Sequence, residues 1–171
     1  MEALLFFKFV KIKIMKLNSI GLPSEEAAIL SAELNILLAN FQIYYQNLRG
    51  LHWNIRGKRF FDLHLKFEEL YNDSQIKIDL IAERVLTLDG IPFHTFEDYI
   101  KYNQLEIGKN IHQDERAIEL IVSSLFTLLT IERVILKKSG EIDDEGTNSM
   151  MGDFIAEQEK TIWMLKAWQQ D

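Results

Sequence analysis

The residues best equipped for chemistry gather in one stretch, "GLHWNIRGKRFFDLHLKFEELYNDSQIKIDLIAERVLTLDG", which holds His52 and His64, two of the four histidines in the chain. Carboxylates follow at helical offsets: Glu68 is four residues after His64, and Glu83 is four after Asp79. Residues four apart share a helix face. Imidazoles and carboxylates on one face can bind a metal, or can simply be a solvated helix face. Cysteine is absent, which removes thiolate zinc sites, iron–sulfur clusters, disulfides and a cysteine nucleophile together. Any metal must therefore bind through nitrogen and oxygen.

The step from Glu68 to Asp79 is eleven residues, close to three helical turns, so the four side chains fall within an arc of roughly 100°. The centres of the two pairs are nevertheless roughly 22 Å apart along the axis at 1.5 Å per residue. One metal centre cannot draw on both pairs of one helix. A second copy of the chain removes the difficulty. If the helix packs antiparallel on its copy about a two-fold axis near Asp73 and Ser74, His64 and Glu68 meet the partner's Asp79 and the partner's Glu83, and symmetry creates the site twice. His52, just before the turn that precedes this helix, is placed to add a third ligand from the first chain. Two imidazoles and three carboxylates suit iron(II) or manganese better than structural zinc. The alternative stays open on these residues alone, because acids four apart are common on solvated helix faces and isolated histidines are often structural. The usual di-iron signature, Glu-x-x-His, occurs nowhere in the chain.

These side chains need long helices to hold them. Two prolines and eight glycines, with long runs rich in Leu, Ile, Ala, Glu and Lys, predict an all-α protein. Pro23-Ser24-Glu25-Glu26 opens the first helix, with Ser24 as the expected cap and the acids at the positive end of the macrodipole. That helix should reach about Trp53, with Leu30, Leu34, Leu37, Leu38, Phe41 and Tyr45 as its buried stripe. Gly57 marks a turn, and the second helix should run from about Phe60 to Leu88 and stop at Asp89-Gly90. The third should span about Asn110 to Lys138, ending before Gly140, and the fourth should follow "EIDDEGTNSM" and continue to the end. Between the second and third lie about twenty residues, able to span roughly 60 Å when extended against roughly 43 Å for the second helix. Such a segment can cross the whole bundle and make the second and third helices parallel, the ferritin-like arrangement. "TFEDYIKY" within it should form a short extra helix.

At 171 residues the chain fits one domain, able to bury about 70% of its unfolded surface. No uninterrupted apolar run approaches 18 residues, so the expectation is a soluble protein without a membrane span. A net charge of −7 argues against a basic duplex-binding face. Residues 1–22 are expected to lie outside the fold as a tail ahead of a bundle domain over 23–171. Met15 is a candidate alternative start, which would make residues 1–14 an upstream extension.

"HWNIRGKRFFDLHLKFEELYND" followed by "IDLIAERVLTLDG" closely resembles the Dps family of bacterial mini-ferritins. The family motif runs His-Trp, a His twelve residues later, an acid four later, Asp eleven later and Glu-Arg four later. The corresponding positions are His52, Trp53, His64, Glu68, Asp79, Glu83 and Arg84, and the similarity extends over about residues 24–170. The resemblance implies a cytoplasmic, hollow homododecamer with a di-iron ferroxidase centre at each two-fold interface. His52, His64 and Glu68 would come from one subunit, and Asp79 and Glu83 from its partner. Iron(II) would be oxidised there, preferably by hydrogen peroxide, and stored as ferric mineral, which protects DNA from oxidative damage. Many members have Asp where this chain has Glu68. Trp53 is a candidate electron donor, with interface packing as its plainer role. Acids near the start of the last helix, Asp144, Glu145 and Asp153, are candidates for a three-fold iron pore, although Ser149 stands where an acid is often found.

Family members that bind DNA directly tend to carry lysine-rich tails, and Lys8, Lys11, Lys13 and Lys16 could serve. The acidic remainder predicts little direct DNA binding at physiological salt. A nucleoid-binding shell with secondary iron chemistry, and a helical oligomer without metal function, are the alternatives.

Overall fold

The computed structural model describes residues 16–170, which form five helices and no strand: α1 (Ser24–Asn54), α2 (Phe60–Thr87), α3 (Phe96–Tyr102), α4 (Asp114–Glu141) and α5 (Glu145–Trp168). The expected all-α bundle with a short helix in the crossing is what the chain forms. Lys8, Lys11 and Lys13, and the whole segment before Met15, lie outside the described residues. Residues 16–22 are not detached from the bundle: Ser24 N donates to Lys16 O at 2.9 Å, and Ser19 N donates to Asp89 Oδ2 at 2.9 Å.

Several boundaries shift for local reasons. Pro23, not Ser24, occupies the N-cap position of α1, and no side chain caps that end. Asn110 has a left-handed φ of 58°, which a helix cannot absorb, so α4 starts later than expected. Its far end continues through Gly140 to Glu141 before Asp143 turns the chain at φ 58°. The buried stripe of α1 passes through Tyr44 rather than Tyr45 after Phe41. Gly57, at φ 116°, makes the turn between α1 and α2.

The long crossing is held by three asparagines. Asn35 Nδ2 donates to Ile91 O at 2.9 Å and its Oδ1 accepts from Phe93 N at 2.7 Å. Asn40 does the same with Tyr102 O and Gln104 N, at 3.3 and 2.7 Å. Asn47 does so with Glu106 O and Gly108 N, at 2.8 and 2.9 Å. Arg56 N then donates to His112 O at 3.1 Å. Contacts that advance together in both numbers mean that the crossing runs parallel to α1. It therefore begins where α2 ends and returns to the end where α2 began, so α4 is parallel to α2, as the ferritin-like arrangement requires. Gly90 begins this path against α1, where a Cβ would meet Ser31 Oγ at 2.0 Å.

The core is mainly Leu and Ile with Phe41, Phe67 and Phe154. Through it runs a polar layer. Lys77, 3% exposed, pairs with Asp73 and with Glu157 at 2.8 Å. Glu132 is fully buried and accepts from Gln158 Nε2 at 2.5 Å. By length and composition, α1 passes for a membrane span, with a mean hydropathy of 1.3 over an 18-residue window. Most of that window, 61%, is buried inside the bundle.

Candidate metal centre

His52 lies in the last turn of α1 and His64 early in α2, on either side of the turn at Gly57. The turn brings the rings face to face, with centroids 3.7 Å apart and planes 18° from parallel. Each histidine is held by the other's backbone: His52 Nδ1 lies 2.8 Å from His64 O, and His64 Nδ1 lies 2.8 Å from His52 O. A carbonyl oxygen only accepts, so both Nδ1 atoms carry the hydrogen. Both Nε2 lone pairs are left for a ligand. This is how metal-binding imidazoles are commonly oriented, with the second nitrogen donating to a fixed acceptor. Phe60 stacks against His64 at 4.9 Å, and Tyr71 meets the edge of His52 at 5.4 Å.

Glu68 is one turn beyond His64, and its Oε1 accepts a bond from the Tyr71 hydroxyl at 3.3 Å. Burial, and then the neighbouring Glu68 carboxylate, push the Tyr71 phenol up, so it remains the donor of that bond. Imidazole nitrogens and a carboxylate are donors of the kind that bind iron(II), but within the described residues of one protomer the three do not converge on a single point.

Asp79 and Glu83 lie further along the exposed side of α2 and do not join the histidines within one chain. Among the described residues, no three His, Asp or Glu side chains of a single protomer come together to hold a metal. The same outer side of α2 exposes Phe61, Leu65, Ile76 and Leu80, while Leu63, Phe67, Leu70, Ile81 and Val85 fill the core face. Asp79 borders a shallow groove with Asn72, Gln75, Ile76 and Ile78. Ligand-type residues thus stand among uncovered apolar ones.

Trp53 is 57% exposed, with the Arg49 guanidinium 4.7 Å above its ring. The three acids near the start of α5 differ sharply. Glu145 and Asp153 are exposed. Asp144 is 2% exposed and is the N-cap of α5. Its Oδ1 accepts from Thr147 N at 3.0 Å, its Oδ2 accepts from Thr147 Oγ1 at 2.5 Å, and Arg84 forms an ion pair with it. Both oxygens are engaged by the chain's own structure, which sets this residue apart from the other two candidate pore acids.

Sequence spacing does not single out Tyr71, the three asparagines, or the Glu132–Gln158 and Lys77 layer. The signal for Tyr71 is an aromatic three residues after a candidate ligand. The signal for the asparagines is a set of poor helix formers inside an apolar helix.

The model for the ferritin-like domain family matches residues 31–171. A Haemophilus influenzae protein of uncharacterised function is 41% identical over 153 residues, 90% of this chain and 96% of that protein. DNA protection during starvation protein 2 of Bacillus anthracis is 37% identical over 116 residues, 66% of this chain and 77% of that protein. The crystal structure of the Dps protein from Vibrio cholerae O1 superposes with a TM-score of 0.89 at 46% identity, covering 92% of this chain and 99% of that one. The chain belongs to the Dps family. The Vibrio protein is described as a member of a broad superfamily of ferritin-like diiron-carboxylate proteins, and a histidine pair beside Glu68 is a donor set of that chemical kind.

Proposed function

We propose that this Dps-family chain is an iron(II)-oxidising and iron-storing cage protein that protects DNA in the cytoplasm, with its oxidation site shared between two copies. The observation that carries this is the reciprocal His52–His64 pair. Two imidazoles, one from the end of α1 and one from α2, are oriented through Nδ1 with Nε2 left to bind, and Glu68 lies one turn further along α2, whose remaining candidate ligands, Asp79 and Glu83, are too far along the same chain to complete the set. Packing α2 on its copy supplies those ligands and covers Phe61, Leu65, Ile76 and Leu80 in one step.

In this mechanism iron(II) is the substrate. His52 and His64 bind it through Nε2, while their Nδ1–H bonds keep the rings from turning away. Glu68 and the partner's Asp79 and the partner's Glu83 supply negative charge, which favours the ferric product over the ferrous substrate. With hydrogen peroxide as oxidant, two iron(II) ions give up one electron each, the O–O bond breaks, and two protons complete two waters. The reaction consumes both reactants of hydroxyl-radical production, consistent with the naming of the Bacillus anthracis relative as a DNA protection protein. Ferric product would collect inside a hollow dodecamer. Glu145 and Asp153 remain the candidates for drawing cations through a three-fold pore. Trp53, exposed beside His52, is the candidate reserve electron donor. Direct DNA binding plays little part, in keeping with a net charge of −7.

The test is an anaerobic titration of the purified oligomer with iron(II), followed by a hydrogen peroxide pulse and optical detection of ferric product. Saturable binding and fast peroxide-dependent oxidation, both lost in Asp79→Ala while assembly is retained, are expected. Oxidation no faster than in buffer would reject the proposal.

A further inference from the structure

Tyr71 touches two of the candidate ligands from two different helices. Its hydroxyl reaches Glu68 Oε1, and its ring lies edge-on to His52, 84° from coplanar. The ring is itself fixed from behind by Tyr45, with centroids 6.1 Å apart and planes at 85°, and Arg49 stands 5.4 Å from the Tyr45 ring. The phenol oxygen is therefore presented by a framework that does not depend on the bond it makes.

Glu68 needs such a partner. A glutamate reaches its carboxylate through one more torsion than an aspartate, so the free side chain samples more positions and must lose more freedom to hold a metal. A hydrogen bond to one oxygen selects among those positions and leaves the other oxygen to coordinate. We propose that Tyr71 is a positioning residue for the interfacial metal site: its hydroxyl holds Glu68 Oε1, so that Glu68 binds metal through a single oxygen. This inference rests on the site proposed above. Shortening Glu68 by one methylene withdraws the carboxylate from the Tyr71 hydroxyl, so an aspartate there neither needs the clamp nor meets it.

Tyr71→Phe removes one oxygen and keeps the ring contacts with Tyr45 and His52. The experiment is anaerobic titration of the whole oligomer with cobalt(II), read by its visible ligand-field absorption, for wild type, Tyr71→Phe, Glu68→Asp, the double variant and His64→Ala. Tyr71→Phe should weaken cobalt binding about tenfold and change the band shape, with assembly unchanged by light scattering. In the Glu68→Asp background the same change should alter affinity by less than about twofold, which is the coupling a clamp demands. Equal losses in both backgrounds would make Tyr71 merely structural and overturn the clamp. So would wild-type affinity in Tyr71→Phe, provided that His64→Ala abolishes binding. If wild type and His64→Ala both fail to take up cobalt, the site falls and the clamp with it.

Discussion

The asparagines of α1 and the histidine–carboxylate stripe of α2 both interrupt apolar helices with polar groups, but they are completed differently. Asn35, Asn40 and Asn47 each give a hydrogen bond to, and take one from, the crossing backbone. Each amide is paired on both its nitrogen and its oxygen, and each crossing segment gains the pairing that a neighbouring strand would give it. On the outer side of α2, His52 and His64 are oriented but their Nε2 atoms make no hydrogen bond among the described residues, and Asp79 and Glu83 lie exposed among apolar side chains. A polar row that closes within the chain makes fold, whereas one left open specifies a partner.

The sharpest way to break this contrast is to ask whether the open row can be completed in trans. Asp79→Ala chains and His64→Ala chains should each oxidise iron at least about 100-fold more slowly than wild type, the scale expected on losing a metal ligand. Unfolded together and co-assembled, the two variants form some mixed pairs. Each such pair has one site carrying both defects and one carrying neither. Activity should therefore return on co-assembly, and not on simple mixing of finished oligomers. Stopped-flow absorbance of ferric product checks this, and no recovery would show that the ligands are not shared across chains.

The closed rows should respond through stability and leave iron chemistry alone. Inside the bundle, Glu132 and Gln158 each keep an oxygen without a partner, Oε2 and Oε1. Those two acceptors can satisfy each other only if Glu132 is protonated, forming a cyclic acid–amide pair. Burial pushes its carboxyl up from 4.5 to about 7, against smaller lowering by Gln158, Lys77 and Arg133. Because the folded value lies above the unfolded one, this contribution is complete below about pH 4.5 and lost as pH rises through about 7. Glu132→Gln should thus stabilise the protein above pH 7 by up to about 3 kcal/mol, since each pH unit that separates the folded and unfolded values is worth about 1.36 kcal/mol. Near pH 4.5 it should have almost no effect. Urea unfolding at the two pH values checks the sign. Asn47→Ala, which strands one backbone N–H and one C=O of the crossing, should cost about 2 kcal/mol at every pH.

How much of this is legible in the sequence follows from the same contrast. Periodicity places α1, α2 and the crossing because apolar spacing and segment length are local properties, and the histidine and acid intervals imply an incomplete set because helix rise is fixed. The start of α4 escapes such a reading because it turns on the single left-handed residue Asn110. Asn40 escapes it because one polar residue in an apolar helix does not reveal what it will meet 62 positions later. The reciprocal bonds that fix the tautomers of His52 and His64 depend on how the Gly57 turn brings two backbones together, which spacing cannot express.

The acids at the start of α5 offer a smaller version of the comparison, because Asp144 and Asp153 are alike in charge and differ in commitment. Asp144 caps α5 through Thr147 and pairs with Arg84, so Asp144→Asn should lower stability by about 1 kcal/mol, the scale of a weakened cap, with little change in iron uptake. Asp153 is exposed and free to act through its field alone. If it helps draw cations through a pore, Asp153→Asn should slow uptake by about two- to fivefold at low salt, and the difference should shrink near 0.15 M salt, where the Debye length falls to about 8 Å. Uptake rates of the two variants at two ionic strengths, beside their unfolding midpoints, separate the roles. A slowing in Asp144→Asn that likewise shrinks as salt rises would mean that its carboxylate acts in the channel despite its burial.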